Sequence, residues 1–300
     1  MNGLRQSSLW GLDPRLYQIA SLLGLLIYGA TGLDFEVGPA RATAILATVL
    51  VTQYLCTRWW KLPAFDPSSA LISGLSLCLL LRTNSMALAI AAAVVAIASK
   101  FVLCWRGKHL FNPTNIALVA MIGMTGQAWV SPGQWGNLAF FSFLIACLGG
   151  VVVQRAARAD VTLTFIAAWA AVLFGRALWL GQPPAIPLHQ LRNGAFLLFS
   201  FFMISDPRTT PDSRAGRMIF AGLVALGAGF VQFVLYRTNG LLWSLAAFSL
   251  LVPVLDRLFP GLRYRWSSSV PLRIPLKGVP HATLDPEPVA VRGTVARHRA

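Results

Sequence analysis

The sequence predicts an all-α, polytopic integral membrane protein of about ten transmembrane helices, and three observations carry that prediction. Of its 300 residues, 56% are hydrophobic and only 12% are charged, where soluble domains carry about 25% charge. The apolar residues fall in runs approaching bilayer-spanning length. The connections between those runs alternate in their content of Arg and Lys.

In order, the first five segments are Leu16–Thr31, Ala42–Cys56, Ser69–Leu81, Met86–Cys104 and Pro113–Trp129. The second five are Trp135–Val153, Val161–Leu180, Leu191–Ile204, Gly216–Tyr236 and Gly240–Arg257. Residues 1–15 then form an N-terminal extension, 16–257 a transmembrane domain, and 258–300 a tail. The tail is rich in Pro, Arg and Ser and lacks apolar periodicity, so it reads as largely disordered and basic. No short apolar core with a small-residue cleavage site opens the chain, so a cleaved secretory signal is not expected.

Arg58, Lys61, Arg106, Lys108, Arg155, Arg158, Arg208, Arg214, Arg217 and Arg257 fall on one side together with Arg5 and Arg15. The other side carries the acidic turn from Asp34 to Glu36 and scattered single arginines. The positive-inside rule therefore places both termini in the cytoplasm; a bacterial inner membrane is the expected location. The formal charge of +15 is read as topology and contact with anionic lipid headgroups, and nucleic acid is excluded as a partner. Trp59, Trp60, Trp105, Trp129, Trp135 and Trp179 stand near segment ends as an interfacial belt. Lys100, one turn from its segment end, is read as a snorkelling anchor.

The third and eighth segments are the shortest and occupy corresponding positions in two halves of five. Paired short segments predict an inverted repeat with a ligand site at its interface. Cys56, Cys78, Cys104 and Cys147 lie on four different segments without CxxC spacing, so they are read as packing thiols. His109, His189, His281 and His298 are scattered, and no HExxH, Walker A or GxSxG pattern occurs. No metal site and no catalytic residue follow from the sequence.

Three polar, proline-containing turns remain: Asp66 to Ser69, Phe111 to Asn115 and Ser205 to Pro211. Under this topology all three face the cytoplasm. Their residues are helix-capping types, which satisfy exposed amides at helix starts. They are equally the types that line a polar cavity, where irregular backbone at membrane depth is tolerated. The candidate binding residues are Asn112, Thr114, Asn115, Asp206, Arg208, Thr209 and Thr210. Their amides and hydroxyls could meet the polar edge of an isoalloxazine or quinone-like ring, with Phe111 and Phe202 as walls. Arg208 would stabilise a reduced, anionic ring.

These residues resemble the NqrB/RnfD family, subunits of the sodium-pumping NADH:quinone oxidoreductase and of the Rnf electron-transport complex. The similarity rests on Asp66-Pro67-Ser68-Ser69 leading into a leucine-rich run, on Phe111-Asn112-Pro113 followed by Asn115, and on Phe201-Phe202-Met203-Ile204-Ser205-Asp206-Pro207 with Thr209-Thr210-Pro211 and Gly216-Arg217. Val252-Pro253 with Leu255-Asp256-Arg257 is similar to the end of the family's last helix. The resemblance implies a membrane electron-transport subunit with flavin cofactors, working with a redox partner protein or other membrane subunits. In the family, one flavin is a phosphoester of the threonine in an SGAT motif, in the loop between the fifth and sixth helices. Here that loop reads Val130-Ser131-Pro132-Gly133-Gln134, so covalent FMN is not expected. The expectation is a non-covalent flavin, riboflavin or FMN, at the cytoplasmic turns. The alternative is a transporter or channel for a small polar solute or flavin precursor on the same scaffold, without redox chemistry.

Overall fold

The computed structural model describes residues 13–33, 35, 37–131, 139–264 and 274–275, and among these the chain is mainly helical. Helices α1 (Pro14–Gly32), α2 (Pro39–Trp59), α3 (Pro67–Leu80), α4 (Met86–Val102) and α5 (Pro113–Thr125) form the first half. Helices α6 (Ala139–Arg155), α7 (Ala159–Trp179), α8 (Ala185–Leu191), α9 (Gly194–Leu198), α10 (Arg214–Phe233), α11 (Gly240–Ser249) and α12 (Val252–Leu258) form the second. A π turn, Phe199–Met203, extends α9.

Each of the ten predicted segments falls on a helix, with two differences. The tenth is not continuous: α11 and α12 meet at 52°. Pro253 lies in the first turn of α12, where it lacks the N–H an unbroken helix would need. The short helix α8 was not foreseen. By length and composition, α2, α7 and α10 can each cross a membrane, and α11 with α12 can do so as one bent span. Segments such as α3, α4, α5 and α9 with its π turn are apolar but shorter. Among the described residues, helix length and composition alone give three or four crossings.

Most helices begin at a signal readable in the sequence. Asp66, Ser85, Asn112, Asn193 and Ser213 cap their helices by accepting a bond from a backbone N–H in the first turn. Proline follows in the first turn of α1, α2, α3 and α5, where its missing N–H costs nothing. Between α4 and α5, strands β3 (Cys104–Trp105) and β4 (Lys108–His109) make a hairpin. Its two-residue turn has φ of 49° at Arg106 and 74° at Gly107, positive at both positions as a type I′ turn requires. Ala64–Phe65 pairs antiparallel with Ile274–Pro275, so one stretch of the predicted tail returns to the start of α3. Residues 1–12 of the N-terminal extension, Asp34 and Glu36 of the acidic turn, Trp135, and residues 265–273 and 276–300 of the tail lie outside the described residues.

The packing of one half recurs in the other. In the first, α1 packs on α3, α2 on α3 and α4, and α4 on α5. In the second, α6 packs on α9 and its π turn, α7 on the π turn and α10, and α10 on α11. The halves meet where α1 touches α6 and α5 touches α11. Helix α3 is at the centre of its half, with ten of its fourteen residues buried. Its small residues allow this: at Gly74 a Cβ would come within 2.8 Å of Val49.

Candidate functional site

The three polar turns, far apart in sequence, converge on one narrow cleft. Asp66 and Ser69 open α3, Asn112 to Thr114 open α5, and Asp206 and Arg208 follow the π turn, and all of them line it. Arg15, Lys100, His109 and Phe202 complete its wall. The enclosed space is about 50 Å³.

The capping carboxylate of Asp66 serves twice. Oδ1 accepts from the Ser69 N–H at 3.3 Å, and Oδ2 accepts from Nη1 of Arg15 at 2.7 Å. Arg15 also pairs with Asp13, its Nε donating to Oδ2 at 2.9 Å. Lys100 is 6% exposed, and its Nζ donates to the Ser69 carbonyl at 2.6 Å and to Ser69 Oγ at 3.1 Å. It therefore points into the cleft and does not snorkel. The only cationic side chain of α4 sits where α3 begins, against the carboxylates of Asp66 and Asp206.

Asn112 links the second turn to the third. Its Oδ1 caps α5 by accepting from the Asn115 N–H at 3.1 Å, and its Nδ2 donates to the Met203 carbonyl at 3.3 Å. The same Nδ2 stands 3.5 Å from Oδ2 of Asp206. Thr114 Oγ1 donates to the Ser73 carbonyl at 3.4 Å. Around Asp206 the chain folds tightly: Oδ1 accepts from the Arg208 N–H at 3.0 Å, and the carbonyl accepts from the N–H of Thr209 and of Thr210. Burial raises the Asp206 carboxyl above its usual range, against the lowering effect of the Arg208 N–H and of the Arg208, Lys100 and Arg158 charges. Burial also pulls His109 down to about 3, assisted by Arg208 and Lys100. His109 is thus a neutral imidazole, its Nδ1 at 3.5 Å from Cys104 Sγ.

Four of the seven predicted binding residues, Asn112, Thr114, Asp206 and Arg208, line the cleft. The other three serve packing. Asn115 is fully buried, its Nδ2 donating to the Leu242 carbonyl at 3.1 Å and its Oδ1 lacking a partner. Thr209 Oγ1 donates back to the Asp206 carbonyl at 3.3 Å, and Thr210 Oγ1 accepts from Nε of Arg158 at 3.2 Å. Residue type alone could not separate a hydroxyl that lines a cleft from one that closes its own turn. Arg15, Asp66, Lys100 and His109 were missed as site residues. The signal for Asp66 was its Asp-Pro turn, and for Lys100 the isolation of one charge in an apolar run.

Behind the cleft, Lys108 Nζ bridges Asp212 Oδ1 at 3.0 Å and Asp256 Oδ2 at 2.7 Å. That clasp fixes the hairpin, the loop after the π turn, and α12 to one another. Among the described residues no group of His, Cys, Asp or Glu is arranged to hold a metal ion.

Residues 124–264 match the family described as NQR2, RnfD, RnfE. The chain is similar to a protein of Erwinia tasmaniensis named as a subunit of an ion-translocating oxidoreductase complex, with 29% identity over 151 residues, covering 49% of this chain and 38% of that protein. The protein of the same name from Escherichia coli O1:K1 is 31% identical over 137 residues, 44% of this chain and 36% of its own length. The chain thus spans less than two fifths of the length of the curated relatives it matches.

Proposed function

We propose that the protein is a membrane electron-transport subunit working beside other membrane subunits, a reading supported by the match of residues 124–264 to the NQR2, RnfD, RnfE family. The relatives' common name, which makes them parts of an ion-translocating oxidoreductase complex, supports this reading. The observation that carries it to a site is the convergence of three distant polar turns on the cleft between Asp66, Asn112 and Asp206.

In this reading the cleft receives the polar edge of a non-covalently held flavin, which when bound supplies one- and two-electron redox chemistry. The donor set suits it. Lys100 and Arg208 offer positive charge to a ring that becomes anionic on reduction, Asn112 offers an amide, and Phe202 an apolar wall. The enclosed 50 Å³ is well below the roughly 300 Å³ of a ring site. Loading therefore requires the cleft to widen. Asn112 ties α5 to the end of the π turn through the Met203 carbonyl. By the positive-inside rule the cleft opens to the cytoplasm, with both termini on that side, and the bacterial relatives support an inner membrane as the location. The repeated packing scheme of the two halves supports an inverted repeat of five and five helices. Short helices such as α3 and α9 are then the half-spans at its centre.

The test is an absorbance spectrum of detergent-purified protein followed by acid precipitation. Flavin released into the supernatant is expected, with at least a tenfold lower occupancy in Asn112→Ala. A folded, colourless preparation that takes up no added riboflavin or FMN refutes the redox reading and leaves solute transport on the same scaffold. Colour retained in the pellet shows a covalent link instead.

A further inference from the structure

A recess of about 220 Å³, separate from the cleft but sharing His109 with it, lies between the β3–β4 hairpin, α12 and the chain that follows α12. Arg106, Arg257 and Arg263 line it, and all three are exposed. The two carboxylates of the recess are already engaged. Asp212 and Asp256 share Nζ of Lys108, and Oδ1 of Asp256 also accepts from the Asp212 N–H at 2.7 Å. By contrast, no carboxylate pairs with Arg106, Arg257 or Arg263 among the described residues. The recess therefore presents an excess of positive charge.

Two contacts position these arginines. Nη1 of Arg263 donates to the Arg106 carbonyl at 3.0 Å, which brings the chain after α12 against the hairpin turn. The Arg257 guanidinium lies 6.0 Å from the centre of the Trp105 ring, at the outer range of a cation–π contact. Neither contact exhausts the donors of a guanidinium, which carries N–H groups on all three nitrogens. Beside the recess the surface turns apolar. Pro253 and Arg257, four residues apart on α12, line the recess, and residues so spaced share one face of a helix. Val254 and Leu258 form the adjoining stripe of that helix, and both are exposed. Trp105, also exposed, is a residue type that favours the boundary between apolar and aqueous surroundings.

We infer that this recess binds an anionic phosphate ester at the membrane surface, with the headgroup of an anionic glycerolipid as its source. The planar fork of a guanidinium matches phosphate oxygens two at a time. Basic pockets between membrane helices hold lipid phosphates by the same chemistry. With the phosphate among Arg106, Arg257 and Arg263, the acyl chains lie along Val254 and Leu258. A soluble acidic peptide would leave that apolar stripe uncovered, so the stripe favours a lipid. The volume, about 220 Å³, is below the roughly 300 Å³ of a ring site and suits a small headgroup. A lipid held there bridges the hairpin to α12, beside the bridge that Lys108 already makes.

The experiment is native mass spectrometry of the full-length protein in detergent, titrated with phosphatidylglycerol, phosphatidylcholine of the same acyl chains, soluble glycerol 3-phosphate and hexaglutamate. One copy of phosphatidylglycerol should be held more tightly than any further copy, and about tenfold more tightly than phosphatidylcholine. Arg257→Gln and Arg263→Gln should each weaken that copy about tenfold. Arg214→Gln, which removes an exposed cation outside the recess, should leave it unchanged. If either recess variant fails to give a monodisperse, helical protein, Arg106→Gln replaces it with the same expectation. Glycerol 3-phosphate bound as tightly as the lipid, with the same dependence on these arginines, supports the phosphate site and makes its source soluble. The absence of a tight copy overturns the inference, as does a tight copy indifferent to the recess substitutions. Hexaglutamate held in preference to both phosphates also overturns it, and would assign the recess to an acidic peptide.

Discussion

At the scale of single residues, the cleft holds ionisable groups under strain of opposite sign. His109 is held near 3, whereas an unfolded histidine titrates near 6.5. As pH falls through that window the unfolded chain takes up a proton that the folded protein refuses, so stability present above about 6.5 is lost progressively. The melting temperature in detergent should drop across pH 6.5 to 4, and His109→Asn should flatten that part of the profile. An unchanged profile in the variant would show that His109 is not the group responsible. Asp206 acts in the other direction. Its carboxyl is raised, so its contribution is complete below the ordinary carboxylate value of about 3.9 and declines as pH rises towards the folded value. These effects were not legible in the sequence, because burial decides them, and burial comes from tertiary packing such as that of α4 on the hairpin.

At the scale of elements, helix starts were the most legible features, since caps and prolines act locally. The break between α11 and α12 was hidden inside one apolar run, and the hydrophobic signal is blind to a bend that keeps both parts apolar. Close helix approaches were equally hidden. At Gly149 of α6 a Cβ would lie 2.5 Å from Phe201 Cβ on the π turn, whereas at Gly150 nothing stands within 4 Å. Gly149→Ala should therefore force α6 away from the π turn and destabilise the protein by about 1–3 kcal/mol. Gly150→Ala, equal in helix propensity, should be neutral or slightly stabilising. Thermal unfolding of both variants in the same detergent checks this, and equal melting temperatures would contradict the close α6 contact.

At the scale of the whole molecule, the sequence made the turns visible but not their meeting, since convergence depends on how the halves pack. Arg15, Asp66, Lys100 and Asn112 come from the first half, and Met203, Asp206 and Arg208 from the second. Neither half owns the site. Residues 1–131 produced alone should be degraded or protease-sensitive in membranes, and co-production with residues 132–300 should restore resistance, as read by limited proteolysis. A resistant first half alone would show that the halves fold independently. Met203 has a further consequence, because it lines the charged cleft and also a second space of about 330 Å³ among Trp169, Phe196 and Asn239. Where those spaces open to opposite sides of a bilayer, its side chain is part of a thin insulating septum. A membrane voltage would then fall steeply at Met203, and a charge carried past it would exchange about 2.3 kcal/mol for every 100 mV.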